Sequence, residues 1–151
     1  MKKLNLFAIT AGAAADMFGT MMISIFIGAV ASGVLLSRGV PEDEIGTRLA
    51  GDAQVLTWGV VLGLLASVVG GLVAARIARY RELMHAACAG GVGLVLSTIS
   101  AVLSPVVLPT WYVITGYGLV VPAAAVGGWI AMRWNARTPT EPGTGVPPGS
   151  R

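Results

Sequence analysis

The chain has little of what soluble chemistry is usually built from. Its 151 residues include one cysteine and one histidine, and only 11% of them are Asp, Glu, Lys or Arg. A single cysteine, Cys88, excludes an intramolecular disulfide and reads as a small packing residue. A single histidine, His85, one turn before it, leaves a metal or haem without a second imidazole, so only a methionine such as Met17, Met21 or Met22 would remain as a partner ligand. We expect no metal and no cofactor, with His85 hydrogen-bonded to a carboxylate such as Glu82 or Asp16, or to water. No stretch alternates apolar and polar residues as a membrane barrel strand would. The double glycines lie inside apolar runs instead of at strand-to-helix turns, which excludes a phosphate-binding loop. With no Ser-His-Asp set either, the sequence predicts no enzyme.

What the chain has in excess is apolar surface and glycine. Hydrophobic residues make up 55% of it and glycine occurs 21 times, far from the balance of a soluble domain. Four runs, at about 6–36, 53–75, 83–103 and 111–132, are long enough to cross a bilayer as helices, for which roughly 20 residues suffice. Lipid offers the backbone no hydrogen bonds, so the spans must be helical. The expected fold is all-α, a polytopic membrane protein of four transmembrane helices arranged as two antiparallel hairpins, filling residues 1–134. Residues 135–151, rich in Thr, Pro and Gly, form a flexible tail. The opening M-K-K-L-N-L-F-A-I-T-A-G-A-A-A has features of a signal peptide, but apolar sequence continues past Asp16, and the segment is read as the start of span one.

Charge sets the expected orientation. Lys2, Lys3, Arg76, Arg79, Arg81, Arg133 and Arg137 flank one set of span ends, while Glu42, Asp43, Glu44 and Asp52 give the first opposite loop an acidic balance. The positive-inside rule makes the first set cytoplasmic, with both termini inside and Arg76 and Arg133 marking the rim. The net charge of +3 is therefore a topology signal, and no nucleic-acid partner is read from it. The loop at 37–52 looks like a short amphipathic helix that caps the bundle, with Pro41 at its first position and a Glu44–Arg48 pair.

Small residues carry the packing pattern. Gly59, Gly63, Ser67, Gly71 and Ala75 recur at four-residue steps along span two, and Ala89, Gly93, Ser97 and Ala101 do so along span three, so each helix presents a ridge that admits close neighbours. V-G-G-L-V-A-A-R, holding Gly70 and Gly71, has a near copy in V-G-G-W-I-A-M-R, holding Gly127 and Gly128. The copy suggests two related hairpins about an axis along the membrane normal. Pro122 should kink span four near Gly118.

Asp16 is the only acid within an apolar run, and its four-residue neighbours Gly12, Thr20, Ser24, Gly28 and Ser32 are all small or polar. A charge near mid-membrane costs on the order of 2.5–3.5 kcal/mol, so this row must face protein or water. One reading makes Asp16, Thr20 and Ser24 a proton or cation site. The other makes Asp16 a structural carboxylate, protonated or paired with Arg76 or Arg133. The leading expectation is a non-enzymatic membrane protein whose ridges pack within itself or against a partner, as a homo-oligomer or accessory subunit; the alternative is a small ion- or proton-coupled transporter or channel using Asp16.

An Asp in the first span, a Pro-acid loop, G-G-x-x-A-A-R-I-A-R running into R-E-L-x-H-A, and a final P-A-A-x-x-G-G together make the chain similar to a group of small four-helix bacterial membrane proteins of unknown function. The likeness covers most of the chain up to Arg133. Where that group tends to have an aromatic after the paired glycines, this sequence has Leu72 in the first copy and Trp129 in the second. The resemblance implies the fold and a bacterial inner membrane, and no activity.

Overall fold

In the computed structural model, residues 4–104 and 106–137 are described. Lys2, Lys3 and most of the expected tail lie outside them. The described chain is all-helical, with α1 at Leu6–Ser37, α2 at Glu42–Gly51, α3 at Ala53–Ala78, α4 at Glu82–Leu103 and α5 at Thr110–Arg137. All but α2 are long and apolar enough to cross a membrane. The helices outrun several of the predicted spans: α3 continues to Ala78 and α5 to Arg137, past the point where the tail was placed.

Local chemistry sets the helix ends. Asn5 caps α1, its side chain accepting from Ala8 N, and Asp52 caps α3 by accepting from Gln54 N and Val55 N at 2.8 and 3.0 Å, so each satisfies first-turn amides that have no partner within the helix. Arg79, Tyr80 and Arg81 alone connect α3 to α4, and the two arginines adopt left-handed backbone angles, φ 54° and 46°. Arg79 closes α3 by donating its N–H to Ala75 O, a left-handed helix ending usually given to glycine. Pro41 caps α2 from outside the helix, one position earlier than predicted. The Glu44–Arg48 pair forms at 2.9 Å on the exposed side, while Val40, Ile45 and Leu49 are half-buried. α5 runs through Pro122 as one continuous helix.

α3 is the central helix. It packs on α1, α5 and α4, and α4 also packs on α1 and α5, whereas α1 and α5 make no backbone contact with each other among the described residues. The core is confined to one half of this assembly. Ala8, Ile9, Gly12, Ala13 and Asp16 are buried on α1, and apart from Leu56 the buried residues of α3 fall between Ala66 and Ala78. Those of α4 fall between His85 and Gly93, and those of α5 between Ala124 and Ala131. Nearly all are Ala or Gly, and His85 is the largest side chain that is fully buried. Close backbone approach, not bulky side chains, therefore fills this half, as van der Waals packing between membrane helices favours. The large apolar residues, among them Phe18, Ile25, Phe26, Leu65 and Val95, point outward.

Glycines make the closest approaches between helices. A β-carbon at Gly12 would lie 2.6 Å from Ala74 Cβ, and one at Gly70 would lie 2.7 Å from Asp16 Cβ and from Gly12 O. Gly71 meets the Ala124 carbonyl of α5, and Gly127 meets the Val68 carbonyl of α3. The two paired-glycine motifs are used differently: Gly70 serves α1 and Gly71 serves α5, while Gly127 serves α3 and Gly128 serves α4 through Ala86 and Leu83.

Candidate functional site

Asp16 sits where the packed half ends. It is only 7% exposed, and its Oδ1 accepts a hydrogen bond from Ser67 Oγ on α3 at 2.9 Å. The Ser67 hydroxyl is also 3.3 Å from the Gly63 carbonyl. Thr20, one turn further along α1, is the carboxylate's second hydroxyl neighbour. Gly93 of α4 makes room for the other oxygen: a β-carbon there would fall 2.8 Å from Asp16 Oδ2. Each contact needs a small residue at a particular step, which is what the four-residue rows of α1, α3 and α4 supply.

Asp16 forms no ion pair among the described residues, and the arginines offered as its partners are engaged elsewhere. The Arg133 guanidinium stacks 3.9 Å from the ring of Trp129, and that of Arg76 lies 5.1 Å from the ring of Trp134. Both arginines stay at the end of the bundle on aromatic faces, where cation–π attraction holds them. The structure thus replaces the expected carboxylate–arginine pair with carboxylate–hydroxyl bonds.

Above Asp16 the four long helices draw apart and line an open cavity of about 910 Å³. Asp16, Thr20 and Ser67 line the end next to the packed half; Ser97 and Ser100 of α4, Ser104 just after it, and Tyr112 and Tyr117 of α5 line its walls. Tyr117 donates its hydroxyl to Ser97 O at 3.3 Å, tying α5 to α4 at mid-height. Asp16 is the only charged residue on the wall among those described. The ridge of α3 divides accordingly. A β-carbon at Gly59 would lie 3.7 Å from the Tyr112 hydroxyl, one at Gly63 would meet nothing within 4 Å and Gly63 borders the cavity, and only from Ser67 through Gly71 to Ala75 is the ridge buried. Thr20 joins Asp16 at the cavity, whereas Ser24 is exposed and lies off its wall.

His85 differs from its expected role. It is fully buried at 0% exposure; its Nε2 is 2.9 Å from Asn5 N and its Nδ1 is 3.1 Å from Arg81 O. A backbone N–H can only donate, so Nε2 accepts and the ring proton sits on Nδ1, facing the carbonyl. Both ring nitrogens face backbone groups, and no carboxylate is its partner among the described residues. With Tyr80 edge-on at 5.0 Å, the ring fastens the start of α1 to the start of α4. No group of three or more His, Cys, Asp or Glu residues suited to a metal ion occurs among the described residues.

The serine face of α4 and the two tyrosines were missed by sequence reasoning. A signal existed, since Ser97 and Ser100 lie on one face of α4 and Ser104, which follows its last turn, continues the step of three and four. The chain matches no protein-family model, no curated protein and no solved structure.

Proposed function

We propose that the chain is a small membrane transport protein that takes up a cation on Asp16 from the cavity above it. A single observation carries the reading: among the described residues, the only charged one on the wall of a large cavity lies where the packed half begins, held by hydroxyls and without a counter-charge. An uncompensated buried carboxylate is costly, so a proton or another cation that arrives there is stabilised in proportion. The packed Ala and Gly half below Asp16 blocks a continuous path, which favours alternating exposure of one site over an open channel.

The four long helices are read as two antiparallel hairpins. The cluster of Arg76, Arg79, Arg81 and Arg133 assigns the packed end to the cytoplasm, and the acidic α2 end to the outside. The cavity then opens outward, and the resemblance to small bacterial membrane proteins supports an inner-membrane location with cytoplasmic termini. Reciprocal use of Gly71 and Gly127 at the α3–α5 crossing supports a repeat axis along the membrane normal, although the unequal use of Gly70 and Gly128 departs from it.

A second reading, self-association or docking to another membrane protein, has support on α1 alone. Gly70, Gly71, Gly127 and Gly128 are consumed within the chain, but Ser24 is exposed and a β-carbon at Gly28 would meet nothing within 4 Å, which leaves a small-residue strip open to another helix.

The test of the transport reading is flux in vesicles. Protein reconstituted into liposomes should pass protons or a monovalent cation above the leak of empty vesicles, and Asp16→Asn, which keeps an oxygen for Ser67, should remove that flux. Equal flux from the wild type and Asp16→Asn would end this reading.

A further inference from the structure

We infer that the cation taken up is an amphipathic organic ammonium with an apolar or aromatic body, and not a bare metal ion. The inference rests on the proposed role of Asp16 and adds the ligand class.

The donor set where the packed half begins is poor for an inorganic ion. A hard divalent cation needs about six oxygens at close range, typically with several carboxylates. Here one carboxylate stands with two hydroxyls, and Ser67 already directs its proton to Asp16 Oδ1. A tetrahedral ammonium asks less. One negative charge and a few acceptors satisfy it, and its carbon substituents need apolar surroundings that a hydrated ion does not.

The rest of the cavity supplies those surroundings at a definite height. Ser97, whose carbonyl receives the Tyr117 hydroxyl, lies one turn above Gly93, and Gly59, which faces Tyr112, lies two turns above Ser67. At 1.5 Å per residue these steps put the tyrosines about 6 and about 12 Å from the carboxylate level. A carboxylate floor, one aromatic a turn above it and a second two turns above it match a molecule with a charged head and a body about 10 Å long, a length within the same helix-rise estimate. Aromatic faces attract alkylammonium groups directly. Met17, Met21, Leu64 and Val120 complete an apolar wall. The cavity volume of about 910 Å³ falls in the range of about 300–1,000 Å³ usual for small-molecule sites and greatly exceeds what one ion fills.

Calorimetric titration of the purified full-length protein with benzyltrimethylammonium tests this, with sodium and potassium chloride titrated in parallel and uncharged neopentylbenzene as the shape control. We expect saturable binding of the ammonium alone, lost in Asp16→Asn and weakened about fivefold to tenfold in Tyr117→Leu, the size of one partly solvated cation–π contact; Tyr112→Leu, at a position beside the body and out of reach of the charged head, weakens it less. Helical circular dichroism and elution as a single species establish that each variant is folded; should either tyrosine variant fail this check, Asp16→Asn and the neutral control still decide. Asp16-dependent binding of sodium, potassium or protons without ammonium binding would overturn the ligand class and leave the role of Asp16 standing. Ammonium binding that survives Asp16→Asn, or is matched by neopentylbenzene, would overturn both.

Discussion

Gly63 and Gly71 stand on the same face of α3, two turns apart, yet their surroundings differ enough to be separated by one substitution. An alanine at Gly63 meets nothing within 4 Å. At Gly71 the added carbon runs into the carbonyl oxygen of Ala124 and would lie 2.7 Å from its carbonyl carbon and 2.8 Å from its α-carbon. Replacing glycine by alanine inside a helix normally stabilises by about 0.5–1 kcal/mol. That gain is common to both sites and cancels in their difference, which isolates the packing cost. Overpacking costs about 1–3 kcal/mol, and the upper part of that range applies at Gly71 because backbone atoms have no rotamer through which to escape. Gly63→Ala should therefore hold or raise stability, and Gly71→Ala should fall about 2–3 kcal/mol below it. Unfolding by sodium dodecyl sulfate in mixed micelles, followed by circular dichroism, measures the pair under one condition. Equal midpoints for the two variants would refute the assignment of Gly71 to the α3–α5 crossing and of Gly63 to the cavity wall.

Three further outcomes follow from the same contacts. Gly63→Leu should fill the cavity next to Ser67 while leaving the packed half intact, so cation uptake is lost in vesicles although the unfolding midpoint stays near that of the wild type. Ser67→Ala removes the hydroxyl bonded to Asp16 and should cost about 1–3 kcal/mol in the same unfolding assay, because the carboxylate oxygen is left without that donor. His85→Ala both opens a cavity and leaves Asn5 N without its acceptor, while Arg81 O keeps the backbone N–H groups of Met84 and residue 85; a loss of about 3 kcal/mol is expected, with hydrogen exchange accelerating first at the opening turn of α1.

Hydropathy alone made the four long helices legible, whereas the row around Asp16 is buried only at Gly12 and Asp16 and lies exposed at Thr20 and Ser24. The function of each glycine was not legible. Gly63 and Gly71 are the same residue on the same ridge, and only the divergence of the helix axes makes one a contact and the other a gap. Arg76 and Arg133 were matched to Asp16 by charge, since no other acid lies in a span; their pairing with Trp134 and Trp129 depends on how far each side chain reaches back along the bundle. His85 looked interfacial because it follows a charged turn. It is buried because α1 starts directly over it and donates Asn5 N–H to the ring, a contact between residues far apart in sequence. The serines of α4 read as ordinary helix-packing residues until the space beside them is seen.

The confinement of the core to one half of the bundle gives the molecule the mechanics of a clothes-peg. The alanine and glycine contacts around Gly70 and Gly71 are the spring, short and stiff, and the long arms of α1 and α5, which do not touch each other among the described residues, are the jaws. A fraction of an ångström of slip where the backbones touch is magnified along each arm in proportion to its length, so small adjustments near Gly71 become large changes in the gap between Tyr112 and Thr20. The glycines deepest in the packed half, far from any solute, therefore control the width of the opening, and a methyl group added there would be felt at the mouth.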